Sequence, residues 1–350
     1  MGNNLLTILG ITGAFLGTAI ITDMYAENAA QTIENTVTPE IKKLPITNNI
    51  TPENWKTKKS FDPLYNRIAE DLKNDKPLIV TSYLGIWYSD SLENNLYWQG
   101  MGCSIRETFK RARNLSENRI ERNGKRFKDT YKNYKWSELE IQNIKVEDSK
   151  RGNFLQRGIF HQEITPNQRW KNLGVIEPFD FYLVVNVYKE TDEGMELATF
   201  DMIRHLKQNK AETIHLKDGK TINLKDSQIM GYIGHNVFYG QDDESMQYYI
   251  DSGYYPNITE SPSKPKGVFS FSCQSAYFGF KKTTITNNVY VLDFTTSNMA
   301  PEAYNIMGLL DSISQQFNGK ETAKQVNKAY KMYHKTAGPL NVNHDYKLFK

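Results

Sequence analysis

The chain has 350 residues, of which 39% are hydrophobic and 24% are charged, proportions typical of a globular protein. Its 21 Tyr and 17 Phe exclude a disordered chain, which would be poor in aromatic residues. A formal net charge of +3 argues against nucleic-acid binding by the protein as a whole, and the two cysteines, Cys103 and Cys273, are too few for a disulfide framework.

The N-terminal stretch LLTILGITGAFLGTAIIT (5–22) has 18 residues without a charge, which is long enough to cross a bilayer. No Lys or Arg precedes it, so the positively charged start of an ordinary signal peptide is missing. We predict that residues 1–22 form a membrane anchor or export signal, rather than a helix packed on the protein's own surface. Cleavage and orientation are left open. Residues 23–60 are rich in Thr, Asn and Pro and predict a flexible tether.

Residues 61–175 predict a smaller, aromatic-rich α+β region. Leu64, Ile68 and Leu72 have helical spacing after an Asp-Pro start, and KPLIVTSYLGIWYS is an apolar run typical of a strand. Further along, CSIRETFKRARNL predicts a helix, Asn123-Gly124 a hairpin turn, and NFLQRGIFHQEI a strand.

A basic segment lies within this region. Residues 105–135 contain eleven Lys or Arg and four acids, with aromatic residues among the last of them. We interpret the segment as a solvated face balanced by acids elsewhere, with anionic membrane lipid as a possible contact because an anchor is predicted. Nucleic acid is the less favoured partner for this segment.

Residues 176–350 alternate strand-like and helix-like patterns, which predicts a largely parallel sheet covered by helices on both faces. The predicted strands are 181–188, 228–235, 267–273 and 288–296; the predicted helices are 194–209, 301–317 and 320–335; and a hairpin is predicted at 213–224.

Two of these strands end in side chains that carry chemistry. QIMGYIGH ends at His235 and GVFSFSC ends at Cys273, and ligands gather at the carboxyl ends of parallel strands. An imidazole beside a thiol can take its proton or hold the thiolate as an ion pair. The backbone N–H groups of Asn236 and Cys273 are the natural donors to an oxyanion. The competing interpretation is an inert core thiol and a hydrogen-bonded structural histidine.

The motifs IMGYIGHN and VFSFSCQS resemble those of the caspase-like cysteine peptidases, the group that includes clostripain, gingipains, separase and CHAT domains. The stretches SCQSAYF and TTSNMAPEAYNIMGLL look like bacterial CHAT-type sequences. The resemblance covers roughly residues 178–335. It implies a caspase-like three-layer α/β sandwich with a mostly parallel sheet, His235 as general base and Cys273 as nucleophile.

One position departs from that pattern, since Asn236 stands where many of these proteins have Gly. Asn is the side chain that best tolerates left-handed geometry after Gly, so its N–H is still expected to face an oxyanion. The resemblance also implies a substrate pocket. Its candidates by location are Glu190, Asp192, Ser275, Ser297 and Asn298.

The sequence therefore predicts a cysteine-dependent hydrolase of the membrane or cell envelope, most simply a peptidase acting on a peptide or protein. The alternative is a non-catalytic binding module of the same fold at the envelope, and a third possibility is a nucleic-acid binder that uses residues 105–135. We expect no cofactor and no metal site, because the other histidines lack ligand spacing, and we expect Cys103 to be structural. Those histidines are His161, His205, His215, His334 and His344.

Overall fold

A computed structural model describes part of the chain between residues 60 and 333. The predicted anchor, nearly all of the tether, the basic segment and Cys103 lie outside the described residues. Within this part of the chain, no helix combines the length and the apolar character needed to span a membrane. The described residues are 60–85, 136–143, 154–188, 192–208, 212–239, 251, 261–273, 275–276, 284, 286–295 and 305–333.

Nine strands and five helices make up the regular structure of this part of the chain. The strands are β1 (Leu78–Gly85), β2 (Ser137–Asn143), β3 (Phe154–Ile164), β4 (Phe179–Tyr188), β5 (Thr213–His215), β6 (Thr221–Asn223), β7 (Ile229–Ile233), β8 (Lys266–Phe271) and β9 (Val289–Phe294). The helices are α1 (Asp62–Lys73), α2 (Gln168–Asn172), α3 (Asp192–Gln208), α4 (Asn305–Ser314) and α5 (Gly319–Tyr333), with a short 3-10 turn at Leu224–Asp226.

Seven of the strands form one mixed sheet in the order β2-β3-β4-β1-β7-β8-β9. The pairs from β4 to β9 are parallel, whereas β3 is antiparallel to both β2 and β4. Counted by themselves in chain order, the five parallel strands have the order 2-1-3-4-5, which is a doubly wound arrangement with its switch point between β1 and β7. The predicted α/β fold with a mostly parallel sheet is thus confirmed.

Helices cover both faces of this sheet, because alternate residues of each strand enter different clusters of the core. Ile229 and Ile233 of β7 pack in the cluster that contains residues of α1, α4 and α5. Met230 and Tyr232 of the same strand pack in the cluster that contains residues of α3. The hairpin β5–β6 packs on β1, β3 and β4, with its turn at Gly219 in a left-handed conformation (φ 85°).

The sheet crosses the predicted boundary between residues 61–175 and 176–350. Thr81 of β1 is paired with Val184 of β4 on one side and Met230 of β7 on the other. Strand β1 therefore lies in the middle of the sheet, and β2 and β3 extend the same sheet. The predicted division into two regions differs from the structure because an apolar run shows that a strand is buried but does not show which strands lie beside it.

One edge of the sheet, here called the amino edge, is formed by the starts of the parallel strands and is crossed by α1. Buried Arg67 of α1 donates to the carbonyl of Pro265 at 2.9 Å, and its Nε lies 3.2 Å from Asp71 Oδ2. Gln228 donates to Asp71 and accepts from the N–H of Ile79 at 2.8 Å. The amino edge is thus joined to α1 by buried ionic and amide groups.

Candidate active site

His235 and Cys273 follow adjacent strands at the opposite edge, here called the carboxyl edge. Strands β7 and β8 are parallel, and their last paired residues are Ile233 and Phe271. His235 and Cys273 each lie two residues beyond that pair, so the register brings them to equivalent positions. The pairing also continues past the strand end, since the N–H of Gly234 donates to the carbonyl of Phe271 at 3.2 Å.

The side chain of Asn236 links the two loops that carry these residues. Its Nδ2 donates to the carbonyl of Cys273 at 2.7 Å, and its Oδ1 accepts from the N–H of Phe238 at 3.0 Å. The backbone carbonyl of Asn236 accepts from Tyr239 N at 3.0 Å. Asn236 is buried, so its amide forms these bonds away from water. The residue after His235 therefore fixes its own turn and the backbone of Cys273 together.

The glycine-like geometry expected at Asn236 falls instead at Gly234. Among the described residues, the non-glycine positions with positive φ are Asp75, Asn288 and Gln316. Gly234 has φ 155°, and a Cβ there would lie 2.6 Å from Tyr232 Oη and 2.9 Å from the carbonyl oxygen of Gly85. Asn in place of Gly after the histidine is therefore accommodated without a left-handed backbone.

Burial determines the protonation of the polar groups around His235. Burial lowers the pKa of His235 to about 4, so its imidazole is neutral near pH 7. Burial raises the pKa of Tyr232, whose neutral hydroxyl donates to the carbonyl of His235 at 2.7 Å. A neutral imidazole can accept a proton from a thiol. The low pKa disfavours the alternative in which imidazolium and thiolate form a standing ion pair.

Four hydroxyl groups surround the turn that contains Cys273. The side chain of Cys273 is half-buried and carries a thiol. Ser275 Oγ donates to the carbonyl of Ser270 at 3.0 Å and accepts from the N–H of Thr295 at 2.9 Å. Thr295 Oγ1 donates to the carbonyl of Ser272, and the hydroxyl oxygens of Ser270 and Ser272 lie 2.9 Å apart. All four of these residues are fully buried. Thr295 immediately follows β9, so this edge strand supports the turn.

The predicted pocket residues have different outcomes. Ser275 is fully buried and its hydroxyl is engaged within the turn, so it does not line an open pocket and we reassign it to the support of Cys273. Asp192 is the first residue of α3. Glu190, Ser297 and Asn298 lie outside the described residues.

The sequence did not single out Tyr232 and Thr295 as parts of this site. In the sequence, Tyr232 is one of several residues of an apolar strand, and a threonine at the end of a strand is too common to indicate a site.

Within the described part of the chain, no group of three His, Cys, Asp or Glu side chains is arranged to hold a metal ion. Comparison of the chain with protein-family models, curated proteins and solved structures found no match.

Proposed function

We propose that this protein is a cysteine-dependent hydrolase, most simply a peptidase, in which Cys273 is the nucleophile and His235 the general base. The observation that carries the proposal is the pairing of β7 with β8, which brings both residues to equivalent positions at the carboxyl edge. The bond from Asn236 to the carbonyl of Cys273 then joins their two loops at 2.7 Å. Chemistry in doubly wound sheets is concentrated at this edge, near the switch point.

In the proposed reaction, the neutral imidazole of His235 accepts the thiol proton as the sulfur of Cys273 bonds to the carbonyl carbon of a peptide. The carbonyl π electrons move to the oxygen, and backbone N–H groups of Asn236 and Cys273 are the proposed donors to that oxyanion. Collapse of the intermediate breaks the C–N bond while His235 returns its proton to the leaving amine. Water, deprotonated by the same imidazole, then hydrolyses the thioester and releases the acid and the free thiol.

The order of the parallel strands supports the finer proposal of a caspase-like architecture. His235 follows the third and Cys273 the fourth parallel strand in chain order. This agrees with the arrangement in the caspase-like group, in which an earlier apolar strand delivers the histidine and a later one the cysteine. A location at the membrane or cell envelope, with lipid contact through residues 105–135, is proposed from the sequence alone.

Covalent labelling tests the proposal. We expect the folded protein to react with a peptidyl acyloxymethyl ketone at Cys273, detected by peptide mass mapping, and Cys273→Ala to abolish that labelling. His235→Gln should slow it about 100-fold at pH 7, since general-base assistance contributes at least that much. Cys103→Ala and His161→Gln are the matched controls and should label like the wild type. Labelling that persists in Cys273→Ala, or that maps to Cys103, would refute the assignment.

One observation favours the alternative of a non-catalytic binding module. Burial lowers the pKa of His235 to about 4, and an imidazole of this pKa is a weak base. In such a module Cys273 would be a structural thiol that supports the loop. Modification of Cys273 that occurs only after unfolding would favour this function over hydrolysis.

A further inference from the structure

We propose that Thr295 and Ser275 are positioning residues that aim the sulfur of Cys273, which makes the edge strand β9 part of the active site. This inference rests on the proposed function, in which Cys273 is the nucleophile. It assigns a role to two residues that touch neither the substrate nor the reacting atoms.

Each of the two peptide planes that flank Cys273 is held by a side-chain donor. The plane before it carries the carbonyl of Ser272, which accepts from Thr295 Oγ1. The plane after it carries the carbonyl of Cys273, which accepts from Asn236 Nδ2 at 2.7 Å. One donor comes from the end of β9 and the other from the loop after β7. Side chains from both neighbouring strands thus hold the backbone where the regular ladder of β8 has ended.

Holding both planes fixes the two backbone dihedral angles of Cys273, and these determine the direction of its Cα–Cβ bond. Only the side-chain torsion then remains to set the position of the sulfur. Near-attack geometry requires such control, because a displacement of about 1 Å at a reacting atom can cost roughly 100-fold in rate.

Ser275 completes the arrangement because each hydroxyl has only one proton to donate. Thr295 donates its proton to Ser272, and Ser275 donates its own to the carbonyl of Ser270 at 3.0 Å. Ser275 Oγ in turn accepts from the N–H of Thr295 at 2.9 Å, and the N–H of Ala276 donates to the Thr295 carbonyl at 2.9 Å. Ser275 therefore orients Thr295, and its hydrogen bond to Ser270 connects the turn to the end of β8.

The test measures the rate constant for modification of Cys273 at pH 7, with iodoacetamide and with a peptidyl acyloxymethyl ketone, in Thr295→Val. Val has nearly the shape of Thr but lacks the hydroxyl. We expect the rate to fall by about 10- to 100-fold, as for a misplaced reacting atom. Thr295→Ser keeps the hydroxyl and should restore the wild-type rate. Ser275→Ala should change the rate in the same direction as Thr295→Val.

The matched control is Thr81→Val, which removes a buried hydroxyl of the same kind from β1. Thr81 Oγ1 lies 2.8 Å from Ser227 Oγ, and both residues are fully buried. Thr81→Val should lower the melting temperature about as much as Thr295→Val and leave the rate of Cys273 modification unchanged. Equal falls in rate for the two variants would mean that the Thr295 hydroxyl only stabilises the fold, which would overturn the inference.

A double-mutant cycle with His235→Gln separates positioning from general loosening. If Thr295 acts by placing the sulfur against the imidazole, Thr295→Val should have almost no effect once His235 is replaced. Multiplicative effects of the two substitutions would overturn the inference. If wild-type modification at pH 7 is already independent of His235, the proposed function fails and this inference with it. If it depends on His235 and Thr295→Val reacts like the wild type, only the positioning role fails.

Discussion

The two edges of the central sheet are both polar, but their polar groups differ in kind. At the amino edge the buried groups include an ion pair, in which Arg67 Nε lies 3.2 Å from Asp71 Oδ2. Around Cys273, at the carboxyl edge, the buried groups described above are neutral: serine and threonine hydroxyls and the amide of Asn236. The half-buried imidazole of His235 has its pKa lowered to about 4 and is neutral near pH 7 as well.

This difference separates groups with a fixed protonation state from groups that can support the proposed chemistry. A buried ion pair has a fixed protonation state, because neutralising either partner leaves the other as an uncompensated charge. Neutral hydroxyl and amide groups can position a thiol and an imidazole without fixing their protonation. The polar groups of the amino edge therefore have a structural role, and those of the carboxyl edge suit the reactive site that we propose there.

Removing the cation at the amino edge should produce the largest effect on stability. Arg67→Ala leaves the buried carboxylate of Asp71 without its cationic partner and should lower the free energy of unfolding by about 3–5 kcal/mol. Urea denaturation measures this loss, and Cys273 in the folded variant should keep its wild-type rate of modification. Arg169→Ala removes an exposed pair with Glu321 and should cost less than about 1 kcal/mol. Equal losses in the two variants would contradict the distinction between buried and exposed pairs.

The depressed pKa of His235 predicts a stability that depends on pH. The folded protein keeps the imidazole neutral down to about pH 4, whereas the unfolded chain protonates it near 6.5. The stabilisation by neutral His235 is therefore complete above pH 6.5 and is lost as pH falls toward 4, by up to about 3 kcal/mol.

Urea midpoints of the wild type and His235→Gln, measured from pH 4 to 8, test this expectation. The wild type should lose more stability than the variant between pH 6.5 and 4, and the two curves should run parallel above pH 7. Parallel curves over the whole range would show that the imidazole titrates alike in the folded and unfolded chains.

Replacing Asn236 should have the smallest effect on stability of these three changes. Asn236→Ala removes a buried donor to Cys273 and the acceptor for Phe238, and should cost about 1–2 kcal/mol. Asn236→Asp keeps the acceptor for Phe238 but loses the donor. We expect modification of Cys273 to slow in both variants. Asn167→Ala, which removes the cap of α2, is the control and should leave the rate unchanged.

If Cys273 modification slows in Asn236→Ala but keeps the wild-type rate in Asn236→Asp, that rate depends on the hydrogen bond to Phe238 and not on the hydrogen bond to Cys273. That result would remove one of the two groups proposed to hold the backbone of Cys273.

Much of the secondary structure could be predicted from the sequence, because the strands are long apolar runs that match burial on both faces. Strands β4, β7, β8 and β9 and helix α3 lie within a few residues of their predicted bounds, and α1 begins at the predicted Asp-Pro start. Strand β2 was missed. A bulge between Glu138 and Glu140 disturbs its alternation, so that Glu140 is buried while Leu139 is exposed.

The arrangement of the strands and the support of the site could be predicted only in part. The strand-end positions of His235 and Cys273 followed from their apolar flanks, but the register that aligns them is a tertiary property. Ser275 was predicted as a pocket residue, because a serine near a reactive cysteine has no sequence feature that reveals a bond to a strand twenty residues away. Hydroxyl partners of this kind depend on side-chain geometry.

The central position of β1 has a consequence for synthesis of the protein on the ribosome. Leu78–Gly85 is made about a hundred residues before its partner β4 and about 150 before β7. At roughly 5–20 residues per second, this fully buried apolar strand emerges several seconds before either neighbour exists. Completion of the sheet therefore awaits translation of its later half. Until then β1 exposes apolar surface of the kind that molecular chaperones bind.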